Sequence, residues 1–189
     1  MKLSKLNLFK RWTSTAPPHK CFGVGLHKLH AREQSEVPKV VMRLVEHIEK
    51  SGLEKEGLFR IAGNHRVIRQ LKNSFNKEGD AELETNNITA ACSLLKLFLR
   101  DLPVSIIPPD VQRRLEKLDH DQDHAEQIRS IIEEMPAVNK PTLRYLINFM
   151  VKVTENSATN KVSVIKVLHL DIVRFYLSDR IELCINTVA

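Results

Sequence analysis

Cysteine is scarce in this 189-residue chain, and the three present, Cys21, Cys92 and Cys184, lie far apart with no C-x-x-C pair. An odd, dispersed set does not make a disulfide framework, so all three read as reduced thiols. Glycine and proline are also few, 6 and 8 residues, which argues against a turn-rich all-β design, and strand signals are almost absent. No run approaches the roughly 18 consecutive apolar residues of a membrane span. Met1 to Trp12 alternates Lys with Leu instead of building the apolar core of a signal peptide. These absences predict a cytoplasmic protein. Asn87-Ile88-Thr89 fits a glycosylation acceptor, but such a site has no use in that compartment.

Aromatic residues make up 5% of the chain and are not interleaved with the basic ones, which leaves no stacking platform for nucleic acid. The formal charge of +6 would suit nucleic acid or an anionic membrane, so its location decides. Lys2, Lys5, Lys10, Arg11 and Lys20 supply five of those six charges, with no acid in residues 1–20, and the body is nearly neutral. A duplex-binding domain keeps its basic stripe on the folded part, so no nucleic-acid partner is expected. Residues 1–20 read either as a solvated flexible arm or as a short basic amphipathic segment at a membrane surface, which would make the protein membrane-peripheral.

What is present is the composition of one ordinary folded core, 42% hydrophobic and 28% charged. Amphipathic helices follow one another, punctuated by caps and breakers. Pro38 sits where a first helical turn tolerates it, and Val41, Leu44, Val45 and Ile48 recur at helical spacing until Gly52. Asn64 suits the cap of a helix striped by Val67, Ile68, Leu71 and Phe75 and stopped at Gly79. A third helix, from near Asn87 to Pro103, is apolar on so much of its circumference that it is expected at the centre of the core.

Two surface helices are expected next, one from Pro109 with Val111, Leu115 and Leu118, and one near Asp123 with Ile128, Ile131, Ile132 and Met135. Asn139 and Pro141 open a strong helix carrying Leu143, Leu146, Ile147, Met150 and Val151, and Asn156 to Asn160 reads as a polar break. Residues 162–189 are read as helix, although alternation is visible there too. The fold class is therefore all-α.

Autonomous chemistry finds little support. Gly52 and Gly57 have the glycine spacing of a phosphate-binding loop, but Leu58 and Phe59 stand where Lys and Ser or Thr must hold phosphate and Mg²⁺, and Glu54 and Glu56 repel an anion. Asp119, Asp121 and Asp123 imitate the start of a Ca²⁺ loop whose required glycine and terminal glutamate are replaced by His124 and Ser130. Cys21, His27 and His30 read as loop residues without a fourth ligand at zinc-like spacing. No metal site and no cofactor site is expected.

One loop stands out. In Glu56-Gly57-Leu58-Phe59-Arg60-Ile61-Ala62-Gly63 two glycines bracket apolar anchors and a single Arg. Gly57 and Gly63 permit tight backbone turns, while Leu58, Phe59 and Ile61 are suited to pin the loop and leave the Arg60 guanidinium projecting. A presented Arg suits phosphate, but loop arginines are commonly solvated charges or helix caps.

Around that loop the chain resembles the GTPase-activating domain for Rho-type small GTPases, RhoGAP, from about Phe22 to Lys161. The matching stretches are Phe22-Gly23-Val24, Val37-Pro38 through Ile48-Glu49, Gly52-Leu53, Glu56 to Arg60, Leu94 to Pro103, Leu143 to Leu146, and Asn160-Lys161. The wording of Gly57 to Gly63 and Leu94 to Pro103 resembles the family-with-sequence-similarity-thirteen branch. The resemblance implies an all-α RhoGAP-type domain over 21–161 and a Rho, Rac or Cdc42-type GTPase as partner. It makes Arg60 the arginine finger, inserted in trans to stabilise charge developing on the γ-phosphoryl group. Lys96 and Arg100, four apart on one helix face, match the family's basic pair. Lys96 is expected to contact the GTPase and Arg100 to brace the finger loop. GTP and Mg²⁺ would belong to the partner.

The resemblance fails after Lys161. The family continues with an Asn-Leu-Ala and a Phe-Gly-Pro stretch, where Ser163 is here followed by Val164-Ile165-Lys166-Val167-Leu168-His169-Leu170. Residues 162–189 therefore read as a divergent or truncated end, expected to leave apolar faces of the Leu94 and Leu143 helices uncovered. It also motivates the alternative of a non-catalytic GTPase-binding or scaffold fragment.

Overall fold

The protein is described by a computed structural model over residues 17–118 and 125–162. Every regular element among the described residues is helical. In chain order these are α1 (Leu26–Glu33), α2 (Lys39–Ser51), α3 (His65–Glu78), a 3₁₀ turn (Thr85–Asn87), α4 (Ile88–Arg100), α5 (Pro109–Leu115), α6 (Ala125–Glu133), α7 (Lys140–Glu155) and the single turn α8 (Ser157–Asn160).

α4 is the axis of the core, as its apolar circumference requires. Cys92, Leu94, Leu95 and Phe98 are wholly buried, and α2 and α3 pack on it. α2 presents Val41, Leu44, Val45 and Ile48 at the expected spacing. α3 is capped as its sequence requires, with the Asn64 side chain accepting from the Arg66 amide at 2.9 Å, and ends on Gly79 at φ +82°. α5 and α6 pack on each other and bury one face each, through Val111 and Leu115 and through Ile128, Ile131 and Ile132.

Polar side chains pin the connections. Asn76 Oδ1 on α3 accepts from the amides of Cys21 and Phe22 at 2.9 and 3.2 Å, and Phe22 then meets Phe98 edge-on with ring centroids 5.6 Å apart. Asn139 at the start of α7 donates to the Ile106 carbonyl at 2.8 Å, tying α7 to the segment that leaves α4.

Three readings of the sequence need correction. His27 and His30 are not loop residues: both lie on α1, whose apolar content of Leu26 and Leu29 is too small for a recognisable stripe. The polar break ends in the helical turn α8, and its last residue, Asn160, is wholly buried. The helices of Leu94 and Leu143 show no bare core face at those positions, since Leu94 is 0% and Leu143 2% exposed. Among the described residues the exposed large apolar side chains are Ile61 and Val104. Cys21 and Cys92 are free, buried thiols. The arm's first 16 residues, the aspartates at 119, 121 and 123, Cys184 and the tail from 163 onward lie outside the described residues.

Candidate functional site: the Arg60 loop

The segment from Leu53 to Gly63 crosses from α2 to α3 with its hydrophobic side turned inward. Leu58 and Phe59 are buried while Arg60 is exposed. The reversal between neighbours has a backbone cause. Gly57 at φ +74° and Phe59 at φ +60° are both in the left-handed region, and the amides of Arg60 and Ile61 both return to the Gly57 carbonyl at 2.9 Å. Phe59 is not a glycine, so its conformation is strained by about 1–2 kcal/mol. Its ring offsets that by packing edge-on against Phe149 of α7, centroids 5.9 Å apart. The expectation that Ile61 also pins the loop is not met: Ile61 is 48% exposed beside Arg60.

α4 supports the loop from below at two points. Lys96 Nζ donates to the Phe59 carbonyl at 2.7 Å, one residue before Arg60. Ser93 Oγ, one turn earlier, accepts from the Gly63 amide at 2.9 Å. Gly63 is needed for space: a Cβ there would lie 2.4 Å from Ala90 Cα. The division of labour expected for the basic pair is therefore different. Lys96 makes the bracing bond, because the loop crosses α4 at its level. Arg100, one turn further on, is exposed and has no hydrogen bond or ion pair among the described residues.

A third support comes from the end of α8. The carbonyl of Asn160 accepts from the Gly57 amide at 2.8 Å, and its side-chain amide donates to the Leu53 carbonyl at 2.9 Å and to the Val153 carbonyl at 2.8 Å. Sequence reasoning used Asn160 only as a landmark of resemblance and missed this contact. An asparagine in a polar stretch carries no local mark of burial.

The surroundings supply no nucleophile. Cys92 lies beneath Phe59, and burial pushes its thiol up to about 12. Among the described residues no group of three or more His, Cys, Asp or Glu side chains is placed to hold a metal ion. A cleft of about 560 Å³ lined in part by His19, Arg32, Arg43 and Asp80 shares no residue with the Arg60 loop. Within it Arg32 pairs with Glu33 and Arg43 with Asp80. What the site offers is a single guanidinium on a loop anchored on two sides, and such a group is suited to act on something brought to it.

Comparison with known proteins gives the family. Residues 38–167 match the model of the RhoGAP domain, and the chain belongs to the RhoGAP domain family. It is 31% identical over 154 residues to Rho GTPase-activating protein gacT of Dictyostelium discoideum, covering 77% of this chain and 15% of that protein. It is 32% identical over 149 residues to human Rho GTPase-activating protein 27, covering 76% of this chain and 17% of the other. The chain thus spans about a sixth of the length of these relatives. The crystal structure of human Rho GTPase-activating protein 15 superposes with a TM-score of 0.77 at 24% identity, covering 100% of this chain and 94% of that one. The BH domain from GRAF, the GTPase regulator associated with focal adhesion kinase, gives a TM-score of 0.64 at 22% identity, covering 79% and 85%. These two likenesses concern the fold.

Proposed function

We propose that this chain stimulates GTP hydrolysis by a Rho, Rac or Cdc42-type small GTPase, with Arg60 acting in trans as an arginine finger. The observation that carries the reading is the presentation of Arg60: exposed, next to a buried and strained Phe59, on a loop tied to α4 and α7. A guanidinium held in place before the partner arrives needs little reorganisation to meet charge on the γ-phosphoryl oxygens. Such fingers are worth roughly 10³ to 10⁵ in rate. The GTP and Mg²⁺ belong to the partner, and this chain supplies charge, not a cofactor. Lys96 and Arg100 lie on the face of α4 beside the loop; Arg100, exposed and without an ion pair among the described residues, is placed to meet the GTPase. The setting is cytoplasmic, and the basic arm of residues 1–20 adds weak attraction to an anionic membrane surface.

The second reading is a non-catalytic GTPase-binding or scaffold fragment. It is favoured by one sequence observation, the absence after Ser163 of the Asn-Leu-Ala stretch of the family. Single-turnover hydrolysis at saturating domain, with a binding titration alongside, separates the two. Arg60→Ala is expected to remove nearly all stimulation at little cost in stability, because its contribution is made in the transition state. Arg60→Lys is expected to rescue poorly, since an ammonium lacks the planar fork of donors. Full stimulation by Arg60→Ala refutes the finger; binding without stimulation by the unmutated chain selects the scaffold.

A further inference from the structure

Asn160 has every polar group engaged. Besides its three bonds to Gly57, Leu53 and Val153, its amide donates to the Asn156 carbonyl at 3.0 Å and its Oδ1 accepts from the Val162 amide at 2.8 Å. The residue is 0% exposed. A buried primary amide is costly unless satisfied, and here three bonds, to Leu53, Val153 and Val162, satisfy it. The residue's bonds, side-chain and main-chain together, divide into two groups. The bonds to Val153, Asn156 and Val162 finish α7 and α8, which is all that a helix terminus requires. The bonds to Leu53 and Gly57 do nothing for those helices. They reach 107 residues back to the first residue of the Arg60 loop and to the glycine on which its turn is built.

We infer that Asn160 is a positioning residue for Arg60, fixing the loop to the end of α8 at the two points that set where the turn lies and how it is rotated. The inference rests on the finger reading above and adds to it a residue that touches neither GTPase nor nucleotide. Leu53 and Gly57 are held by Asn160, and Phe59 by Lys96, so three anchors precede Arg60 in sequence. Three points not in a line define a rigid body. Without the Asn160 side-chain amide the Leu53 anchor is lost, and the loop, left with its α4 attachments, the main-chain bond of Gly57 and the Phe59–Phe149 contact, can tilt about them, carrying the guanidinium off its target.

Aspartate does not replace Asn160. Asp preserves size and the Oδ1 acceptor for Val162 but turns a second oxygen toward the carbonyls of Leu53 and Val153, which then have no donor. The experiment compares the unmutated 189-residue chain with Asn160→Asp and with Asn156→Ala. The Asn156 side chain donates to the Lys152 carbonyl at 2.8 Å, and none of its own bonds reaches the loop, so Asn156→Ala loosens the helix end alone. Each is read by single-turnover hydrolysis on whichever GTP-loaded Rho, Rac or Cdc42 protein the unmutated chain stimulates, with helicity checked at the assay temperature.

Asn160→Asp is expected to lower the saturating rate about 10- to 100-fold, the penalty of a misplacement near 1 Å, with the half-saturating concentration unchanged within about twofold. Asn156→Ala is expected to melt earlier at an undiminished rate. A folded Asn160→Asp at the unmutated rate overturns the inference, and so does a loss of rate in both variants that merely follows their lost stability. Should Asn160→Asp not fold, hydrogen exchange on the unmutated chain decides: the Gly57 amide must exchange at least about tenfold more slowly than that of Glu56, and equal rates overturn the inference. Arg60→Ala separates the two levels. If it is silent while Asn160→Asp is fully active, the positioning role alone falls. If Arg60→Ala stimulates normally, the finger reading falls and takes this one with it.

Discussion

Lys96 on α4 and Phe59 in the loop meet through one hydrogen bond, side-chain ammonium to main-chain carbonyl at 2.7 Å across 37 residues of sequence. The bond acts on the peptide unit that leads into Arg60, so Lys96→Met, which keeps the stem and loses the donor, is expected to lower the saturating rate about tenfold or more. It should cost about 1 kcal/mol of stability for the abandoned carbonyl. Single-turnover kinetics and urea melts measure both. A variant that turns over normally once saturated, but needs far more domain to saturate, marks Lys96 as a partner contact and not a brace.

The left-handed backbone of Phe59 at φ +60° sets an unusual order among its variants. Both Phe59→Ala and Phe59→Gly lose the ring against Phe149, and Phe59→Ala should be destabilised by about 3–5 kcal/mol. Ala retains the backbone strain and Gly does not, so Phe59→Gly is expected to be the more stable of the two by about 1 kcal/mol, against the usual ranking. Chemical denaturation of the pair tests it, and the ordinary order, Ala above Gly, would show that Phe59 does not hold this conformation in solution.

Gly63→Ala addresses the other end of the loop. Its new methyl would stand 2.4 Å from Ala90 Cα and 2.6 Å from the Ala90 nitrogen, and neither backbone atom can swing away as a side chain would. The loop must lift from α4, stretching the bond between the Gly63 amide and Ser93. A loss of about 2–3 kcal/mol is expected. A thermal midpoint equal to that of the unmutated chain rules out this close approach.

His47 gives a pH dependence. Its Nε2 is buried without a hydrogen-bond partner, and burial holds its imidazole below the ordinary value of 6.5, outweighing the support it receives from the Glu84 backbone. The unfolded chain therefore binds this proton more readily than the folded one. The associated stability is fully present above about pH 6.5 and is lost as pH falls below it toward the depressed folded value. His47→Gln should flatten the stability profile between about pH 7.5 and 5 relative to the unmutated chain. Identical slopes for the two proteins would acquit His47.

The helices that sequence revealed are those whose own residues suffice to specify them. α2, α3, α4 and α7 each carry a long apolar stripe or a capping residue; most of the expected residues of α2, α4 and α7 are buried, while on α3 Phe75 is buried and Val67, Ile68 and Leu71 are half-buried. α1 escaped because two leucines in eight residues make no pattern. In the site, the exposed presentation of Arg60 was legible from its bracketing glycines and apolar neighbours. The roles of Lys96 and Arg100 were not, since residues four apart on one face look alike until it is known which of them lies beneath the crossing loop. Asn160 was least legible of all: its partners Leu53 and Gly57 are about a hundred positions away and engage it through main-chain atoms, which leave no trace in side-chain identity.

That reliance on main-chain atoms makes the loop an interchangeable cassette. The groups that hold it, the Leu53 and Phe59 carbonyls and the Gly57 and Gly63 amides, exist whatever side chains occupy the intervening positions. Glu54, Lys55, Glu56 and Ile61, all exposed, can be rewritten in charge and bulk without disturbing any of those anchors, provided the two glycines stay. The surface around Arg60 is thus recodable separately from the placement of Arg60 itself, and a designer seeking a new partner could vary one while leaving the other as it stands.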